Sequence, residues 1–259
     1  MAAVFFDIDG TLVDREQQIP DSTREAIRLL HQNGHMAFIS SGRTKVMIRD
    51  ENLLSLGFDG ILCGCGTHII YDGKDLVLHE IASDLMERAV ELFYEYDLPA
   101  IIEGKDYLFM DADMIGVDEY GRYLLKVMAD VTQPIRNNHE NWCGNKYSLL
   151  IQDRNFEPVV KKLEAEFEFI NHDSVAMEVV PKGYSKATGL ETVCSLLQIP
   201  RKEVFAIGDG NNDIDMLEFA QVGIVMGNGK EMAKAHGDYI TSDIHEDGIW
   251  NALKKYSLI

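Results

Sequence analysis

The sequence predicts an α/β fold: a doubly wound parallel sheet interrupted by an inserted α+β domain. Two observations carry this expectation. Short apolar runs of β-leaning residues alternate with helix-period segments at both ends of the chain. Ala3 to Phe6, Met36 to Ile39 and Ile61 to Cys63 are such runs near the start, and Val204 to Ile207 and Val222 to Val225 recur near the end. Apolar runs separated by helices argue parallel strands covered on both faces, the Rossmann-like arrangement. Between them, roughly residues 83–183 change to short β segments broken by turns and helices, which reads as an α+β unit. A chain of 259 residues with 46% hydrophobic content has enough core for two modest domains. The expected division is 1–82 and 184–259 for the core, and 83–183 for the insertion.

Each core element has a local cause. Ser22 with Glu25 three residues on fits a capping box. Ala26, Ile27, Leu29 and Leu30 supply the apolar stripe of the helix that follows, and Gly34 suits its end. A second helix is expected from about Thr44 to Leu56, stopped by Gly57. Thr67 to Tyr71 and Leu76 to His79 flank Asp72-Gly73, a hairpin signal. Within the insertion, Ser83 reads as the N-cap of a helix carrying Leu85, Met86, Ala89, Val90 and Phe93. Strands are expected at Ala100 to Glu103, Tyr107 to Met110, Lys146 to Ile151, Phe169-Ile170 and Ala176 to Val180, with helices near Val117 to Met128 and Phe156 to Phe167. After it, Ser185 can cap a helix through Ala187, Leu190, Val193 and Leu196-Leu197. Helices are further expected at Met216-Leu217, from about Lys230 and from about Asp247 to Lys255, with a strand at Tyr239-Ile240.

Four stretches carry chemistry. The first strand ends in Asp7-Ile8-Asp9-Gly10-Thr11, two carboxylates at the point where open α/β sheets bind ligands. Carboxylates held that close repel, so a cation, a shared proton or a reaction must justify them; an aspartate-rich turn is the plain alternative. Ser40-Ser41-Gly42-Arg43 follows the second strand, where a hydroxyl and backbone N–H groups can face an oxyanion, although the same letters make an ordinary turn. In Pro181-Lys182-Gly183-Tyr184-Ser185-Lys186, Lys186 falls in the first turn of a helix, poorly placed for the helix dipole, which suggests pairing with carboxylates or a phosphoryl oxygen. Gly208-Asp209-Gly210-Asn211-Asn212-Asp213 gathers oxygen ligands on a tight turn, as a hard cation such as Mg²⁺ requires.

Taken together, D-I-D-G-T-L and G-D-G-N-N-D resemble the first and fourth motifs of the haloacid dehalogenase superfamily, in its Cof-like branch of phosphatases with an inserted α+β cap. The resemblance implies that Asp7 attacks phosphorus and that Asp9 is the general acid and base. It implies that Ser41, with Gly42 and Arg43, binds the transferring phosphoryl group, Ser40 being the second candidate. Lys186 matches the third motif, with Lys182 as alternative. Asp209 would ligate Mg²⁺ together with the Asp7 side chain and the Asp9 backbone carbonyl. Asn212 would meet phosphate or a metal-bound water, and Asp213 would support the metal or Lys186. The cap would exclude water and choose the leaving group. Relatives often carry Asn-Gly-Ala where this chain has Cys65-Gly66-Thr67.

Composition narrows the partners. A net charge of −19 disfavours a nucleic-acid backbone, and it would repel a phosphate substrate unless a metal and a few Lys or Arg stand at the site. Cys63, Cys65, Cys143 and Cys194 lack paired C-x-x-C spacing, so reduced thiols are expected. No apolar run reaches the roughly 18 residues of a membrane span, and the opening strand carries no leader pattern. The expectation is a cytoplasmic Mg²⁺-dependent phosphatase of small phosphorylated metabolites, sugar phosphates first, with no nucleic-acid or membrane partner. A phosphomutase of the same superfamily and a non-catalytic regulator that binds a phosphoryl ligand are the alternatives.

Overall fold

The structure, a computed structural model, describes residues 1–171 and 175–259. The chain forms two compact units, one of Met1–Gly42, Arg49–Val77 and Ser185–Ile259, the other of Arg43–Ile48 and Leu78–Tyr184. In chain order, β1 (Ala3–Phe6), α1 (Asp21–Gln32), β2 (Met36–Ser40), α2 (Glu51–Leu54), β3 (Gly60–Cys63), β4 (His68–Tyr71) and β5 (Lys74–Leu78) come first. The second unit then contributes α3 (Ser83–Glu95), β6 (Ala100–Glu103), β7 (Leu108–Phe109), α4 (Ala112–Ile115), α5 (Glu119–Val127), β8 (Thr132–Gln133), β9 (Lys146–Leu150), α6 (Glu157–Leu163), β10 (Phe167–Asn171) and β11 (Ala176–Pro181). The chain returns with α7 (Lys186–Leu196), β12 (Val204–Gly208), α8 (Ile214–Phe219), β13 (Val222–Val225), α9 (Glu231–His236), β14 (Tyr239–Ile240) and α10 (Gly248–Lys255).

The first unit is built on an eight-stranded sheet in the order β14-β13-β12-β1-β2-β3-β4-β5. Pairing is parallel from β14 to β3 and turns antiparallel at β3 and β4. All four residues of β1 are buried, as a central parallel strand covered on both faces should be. On one face Phe5 and Phe38 stack with Leu62, Val204 and Ala206 beneath Leu190 and Val193 of α7. The strand order reverses beside β1: β2 and β3 build outward on one side, β12 and β13 on the other. Ligand crevices of doubly wound sheets open at the carboxyl ends of such strands.

The second unit holds a six-stranded sheet, β10-β11-β9-β6-β7-β8, antiparallel except between β7 and β8. One face carries Ile102, Tyr147, Leu149 and Val179 under Phe93 of α3 and Leu163 of α6. The other packs Ile101, Leu108, Met110 and Leu150 with Ile115 of α4, Leu124 of α5 and Val46 of the segment 43–48.

Several local expectations change. The helix expected over 44–56 is a 3-10 turn at Lys45–Met47 and a separate short α2. The break has a cause: 43–48 packs within the second unit, and Asp50 restarts the helix by accepting from the Asn52 N–H at 2.9 Å. Ser22 makes no capping box; Pro20 stands at the N-cap, and the buried Ser22 hydroxyl has no hydrogen-bond partner among the described residues. The N-cap of α3 is Ala82, one residue before the expected serine. The helix expected near 117–128 is α5, a short α4 not foreseen precedes it, and α6 ends four residues before the expected limit of 167. The Asp72-Gly73 hairpin has positive φ at both residues, the turn that matches strand twist.

Candidate active site

The carboxyl ends of β1 and β12 and the first turn of α7 bring one ammonium and three carboxylates together. Lys186 is 1% exposed, and its Nζ donates to Asp7 Oδ1 at 2.6 Å and to Asp213 Oδ1 at 2.5 Å. The other Asp213 oxygen accepts from the Asp209 N–H at 2.9 Å and the Gly210 N–H at 2.8 Å. Asp213 is thus saturated with donors and fully buried. Gly208 leaves the space it fills: a Cβ there would lie 2.6 Å from the Asp213 carboxyl carbon. Ser185 caps α7 in a reciprocal pair with Thr188, which fixes the turn that carries Lys186.

Oxygens of Asp7, Asp209 and Asp213 lie within 4.8 Å of one another, a group that can hold a metal ion. Electrostatics point the same way. Burial, then the charges of Asp213, Asp209 and Asp9, push the Asp7 carboxyl well above its ordinary value, against the opposing pull of Lys186. Burial first and Asp213 second raise Asp209 to about 7. Burial lowers the Lys186 ammonium, but Asp213 and Asp7 outweigh it and hold the group firmly protonated. A single ammonium therefore faces an excess of negative charge, which a hard divalent cation would offset.

The remaining expected residues lie as follows. Asp9 is exposed on a tight turn, bridged to Val13, with the Gly10 N–H on the Val13 carbonyl at 2.8 Å. Gly10 adopts φ +85°, and a Cβ on it would sit 2.4 Å from Asp209 Oδ2, so this position needs glycine. Ser41 is buried at the end of β2; its N–H meets the Leu62 carbonyl and its own carbonyl accepts from the Cys65 N–H at 3.0 Å. Cys65 holds this loop in the left-handed region at φ 56°, a conformation that asparagine adopts more readily than cysteine. Asn212 follows Gly210 on the same 3-10 turn as Asp213. Gly42 belongs to the first unit and Arg43 to the second, as does Lys182, which pairs with Glu168 at 3.6 Å.

Three residues received no role from sequence. Thr11 donates to Asp209 Oδ1 at 3.3 Å. Asn228 donates to the Gly10 carbonyl at 2.7 Å and accepts from the Ile244 N–H at 2.9 Å, tying the turn after β1 to the loop after β14. Asp215 accepts from the Ala187 N–H at 3.1 Å, next to Lys186. Gly227-Asn228-Gly229 reads as a turn in sequence, and nothing local reveals that its amide reaches across 218 residues.

The profile of the haloacid dehalogenase-like hydrolases matches residues 4–253. Among curated relatives, the 5-amino-6-(5-phospho-D-ribitylamino)uracil phosphatase YcsE of Bacillus subtilis (strain 168) is 29% identical, over 98% of this chain and 95% of its own. The phosphatase YitU of the same organism, named for the same substrate, is 26% identical, over 98% of this chain and 96% of its own. Among solved structures, the subclass IIB sugar phosphatase BT4131 matches with a TM-score of 0.86 at 27% identity, covering 100% of both chains. No helix among the described residues is long and apolar enough to cross a membrane. The sheet, the aspartates at its carboxyl ends and a family match running almost from end to end agree, and the chain belongs to the haloacid dehalogenase-like hydrolases as an enzyme of their Cof-like phosphatase branch.

Proposed function

We propose that this protein is a cytoplasmic Mg²⁺-dependent phosphatase that hydrolyses small phosphomonoesters, sugar phosphates foremost, through an aspartyl-phosphate on Asp7. The observation that carries the reading is the shared ammonium: Lys186 Nζ joins Asp7 and Asp213 at 2.6 and 2.5 Å, at the end of a central strand. The group fixes the Asp7 carboxylate at the crevice and stands ready to meet phosphoryl oxygens. Asp7 and Asp209, two of the three gathered carboxylates, would hold Mg²⁺ together with the Asp9 backbone carbonyl, whereas Asp213, whose oxygens already accept from Lys186 and two backbone N–H groups, would support Lys186 and the turn. When bound, the cation neutralises and orients the phosphoryl oxygens.

A carboxylate oxygen of Asp7 forms a bond to phosphorus as the bond to the leaving oxygen breaks, and Asp9 gives that oxygen its proton. A water then attacks the same phosphorus, passing its proton to Asp9. The bond from phosphorus to the Asp7 oxygen breaks, releasing phosphate and restoring both carboxyl groups. Ser41 and the backbone of Gly42 bind the phosphoryl oxygens, with Arg43 and Asn212 alongside. The insertion at 83–183 selects the leaving group. Likeness to a sugar phosphatase and to two phosphatases of a ribityl phosphate supports a polyhydroxy leaving group.

The test is phosphate release from p-nitrophenyl phosphate, a panel of sugar phosphates and the ribitylaminouracil phosphate, with Mg²⁺ and with EDTA. Magnesium-dependent release supports the reading. No release, with interconversion of sugar phosphate isomers instead, would establish a mutase.

A further inference from the structure

Ser40 is the residue of the Ser40-Ser41-Gly42-Arg43 stretch for which the mechanism has no use. It is 0% exposed, and its hydroxyl makes no hydrogen bond among the described residues. The sheet register explains where that hydroxyl lies. β1 and β2 run parallel with Phe5 opposite Phe38 and Phe6 opposite Ile39. The next step along both strands sets Asp7 opposite Ser40, and the Asp7 N–H on the Ile207 carbonyl at 2.9 Å keeps β1 within the sheet at this level. Phe5 and Phe38 stack with their centroids 4.8 Å apart on the face covered by α7. Alternation returns Asp7 and Ser40 to that same face, the one from which Lys186 reaches Asp7.

Gly208, Asp7 and Ser40 thus form a row across three neighbouring strands beneath the start of α7. Strands are about 4.8 Å apart, within a rotamer change of hydrogen-bonding reach for a serine beside a carboxylate. Leu62, opposite Ser40 on β3, and Phe38, two residues back on the same face, are apolar and offer no acceptor. A buried hydroxyl left unpaired lowers stability, so an alanine would serve the resting fold as well or better.

We infer that Ser40 is a positioning residue for the nucleophile, donating its hydroxyl proton to the Asp7 carboxyl group when Lys186 turns its ammonium toward the phosphoryl oxygens. In the resting site Lys186 is committed to Asp7 and Asp213. An arriving phosphoryl group competes for that ammonium and draws it from Asp7. Ser40 replaces the lost donor with a neutral one, which keeps the carboxylate oriented without withdrawing as much charge from its attacking oxygen. No bond to the serine oxygen is made, and its proton stays on it throughout. The inference rests on the reading of Asp7 as nucleophile.

The experiment compares Ser40→Ala and the size-matched Ser40→Cys, whose thiol is a weak donor, with the wild-type chain on p-nitrophenyl phosphate with Mg²⁺. Melting temperature is read beside kcat and KM. The expected result is a melting temperature equal to or above wild type in Ser40→Ala, KM nearly unchanged and kcat lowered roughly ten- to a hundred-fold, with Ser40→Cys between. A kcat for Ser40→Ala within about two-fold of wild type would overturn the inference. So would a loss of kcat in both variants that tracks a fall in melting temperature, because that is a packing effect. If the wild-type chain releases no phosphate, the phosphatase reading itself fails and this inference with it; the wild-type sample alone reveals that case.

Discussion

Among the described residues each unit of the molecule buries one lysine, and the two are held in opposite ways. Lys146 in the second unit is 2% exposed and lies 2.9 Å from Glu178 and 3.6 Å from Glu103. Its partners come from neighbouring strands of one sheet, Glu103 standing directly opposite it in register. Glu103 is further bonded by Ser148 and by Thr44 at 3.4 Å. Lys186 instead meets carboxylates that arrive from two loops at strand ends, with further carboxylates beside them. A cluster spread along strand faces and supplied with neutral donors fixes register. A cluster at strand ends with negative charge in excess can hold a cation. Burial of an ion pair alone does not separate these cases; the origin of the partners and the further carboxylates around Lys186 do.

The comparison can be broken by substitution. Asp7→Asn should lower kcat at least about a thousand-fold while the melting curve persists; substantial phosphate release from this variant would remove Asp7 from the nucleophile role. Lys146→Met should act on stability instead, costing about 3 kcal/mol because Glu103 and Glu178 are left without their cation. Its kcat on p-nitrophenyl phosphate should stay within a few-fold of wild type, and urea titration beside kinetics separates the two effects. A variant of unchanged stability and no activity would reverse the contrast between the lysines.

A smaller effect concerns pH in metal-free protein. The Asp209 carboxyl lies at about 7 in the fold against an ordinary 3.8, so the folded state holds this proton more tightly. Its contribution to stability is full below the ordinary value and is lost as pH rises through about 7. Metal-free wild type should gain about 2 kcal/mol relative to Asp209→Asn on going from about pH 8 to about pH 5.5. Saturating Mg²⁺ should flatten that difference. The same difference with and without Mg²⁺ would place the cation elsewhere. Smallest, Ser185→Ala should cost about 1 kcal/mol by uncapping α7, measurable as a shifted urea midpoint.

Much of the core was legible because its determinants are local. Apolar runs over Ala3 to Phe6 and Val204 to Ile207 announce buried parallel strands, and Asp72-Gly73 announces its hairpin by backbone chemistry alone. The meeting of Asp7, Asp209, Asp213 and Lys186 was legible for the same reason, each standing at the edge of a recognisable element. What escaped is non-local. The segment 44–56 has helical letters, but Val46 is drawn into a cluster with Ile101, Leu108 and Leu150, residues more than fifty positions away. Asn228 and Asp215 act through hydrogen bonds to distant backbone, which no period or cap signal encodes. Ser22 had the right spacing for a capping box and lost to Pro20, whose fixed φ already sets the entry to α1.

The membership of residues 43–48 in the second unit bears on how such proteins can be recombined. The polypeptide passes between the units four times, at 42/43, 48/49, 77/78 and 184/185. Excision of 83–183 would strip Val46 of its apolar partners and leave it facing water. A chimera that borrows another member's insertion therefore inherits an unmatched six-residue strap unless 43–48 travels with it. Because that strap begins directly after Ser41-Gly42, modular exchange in this architecture has its seam one peptide bond from the residues proposed to bind the phosphoryl group.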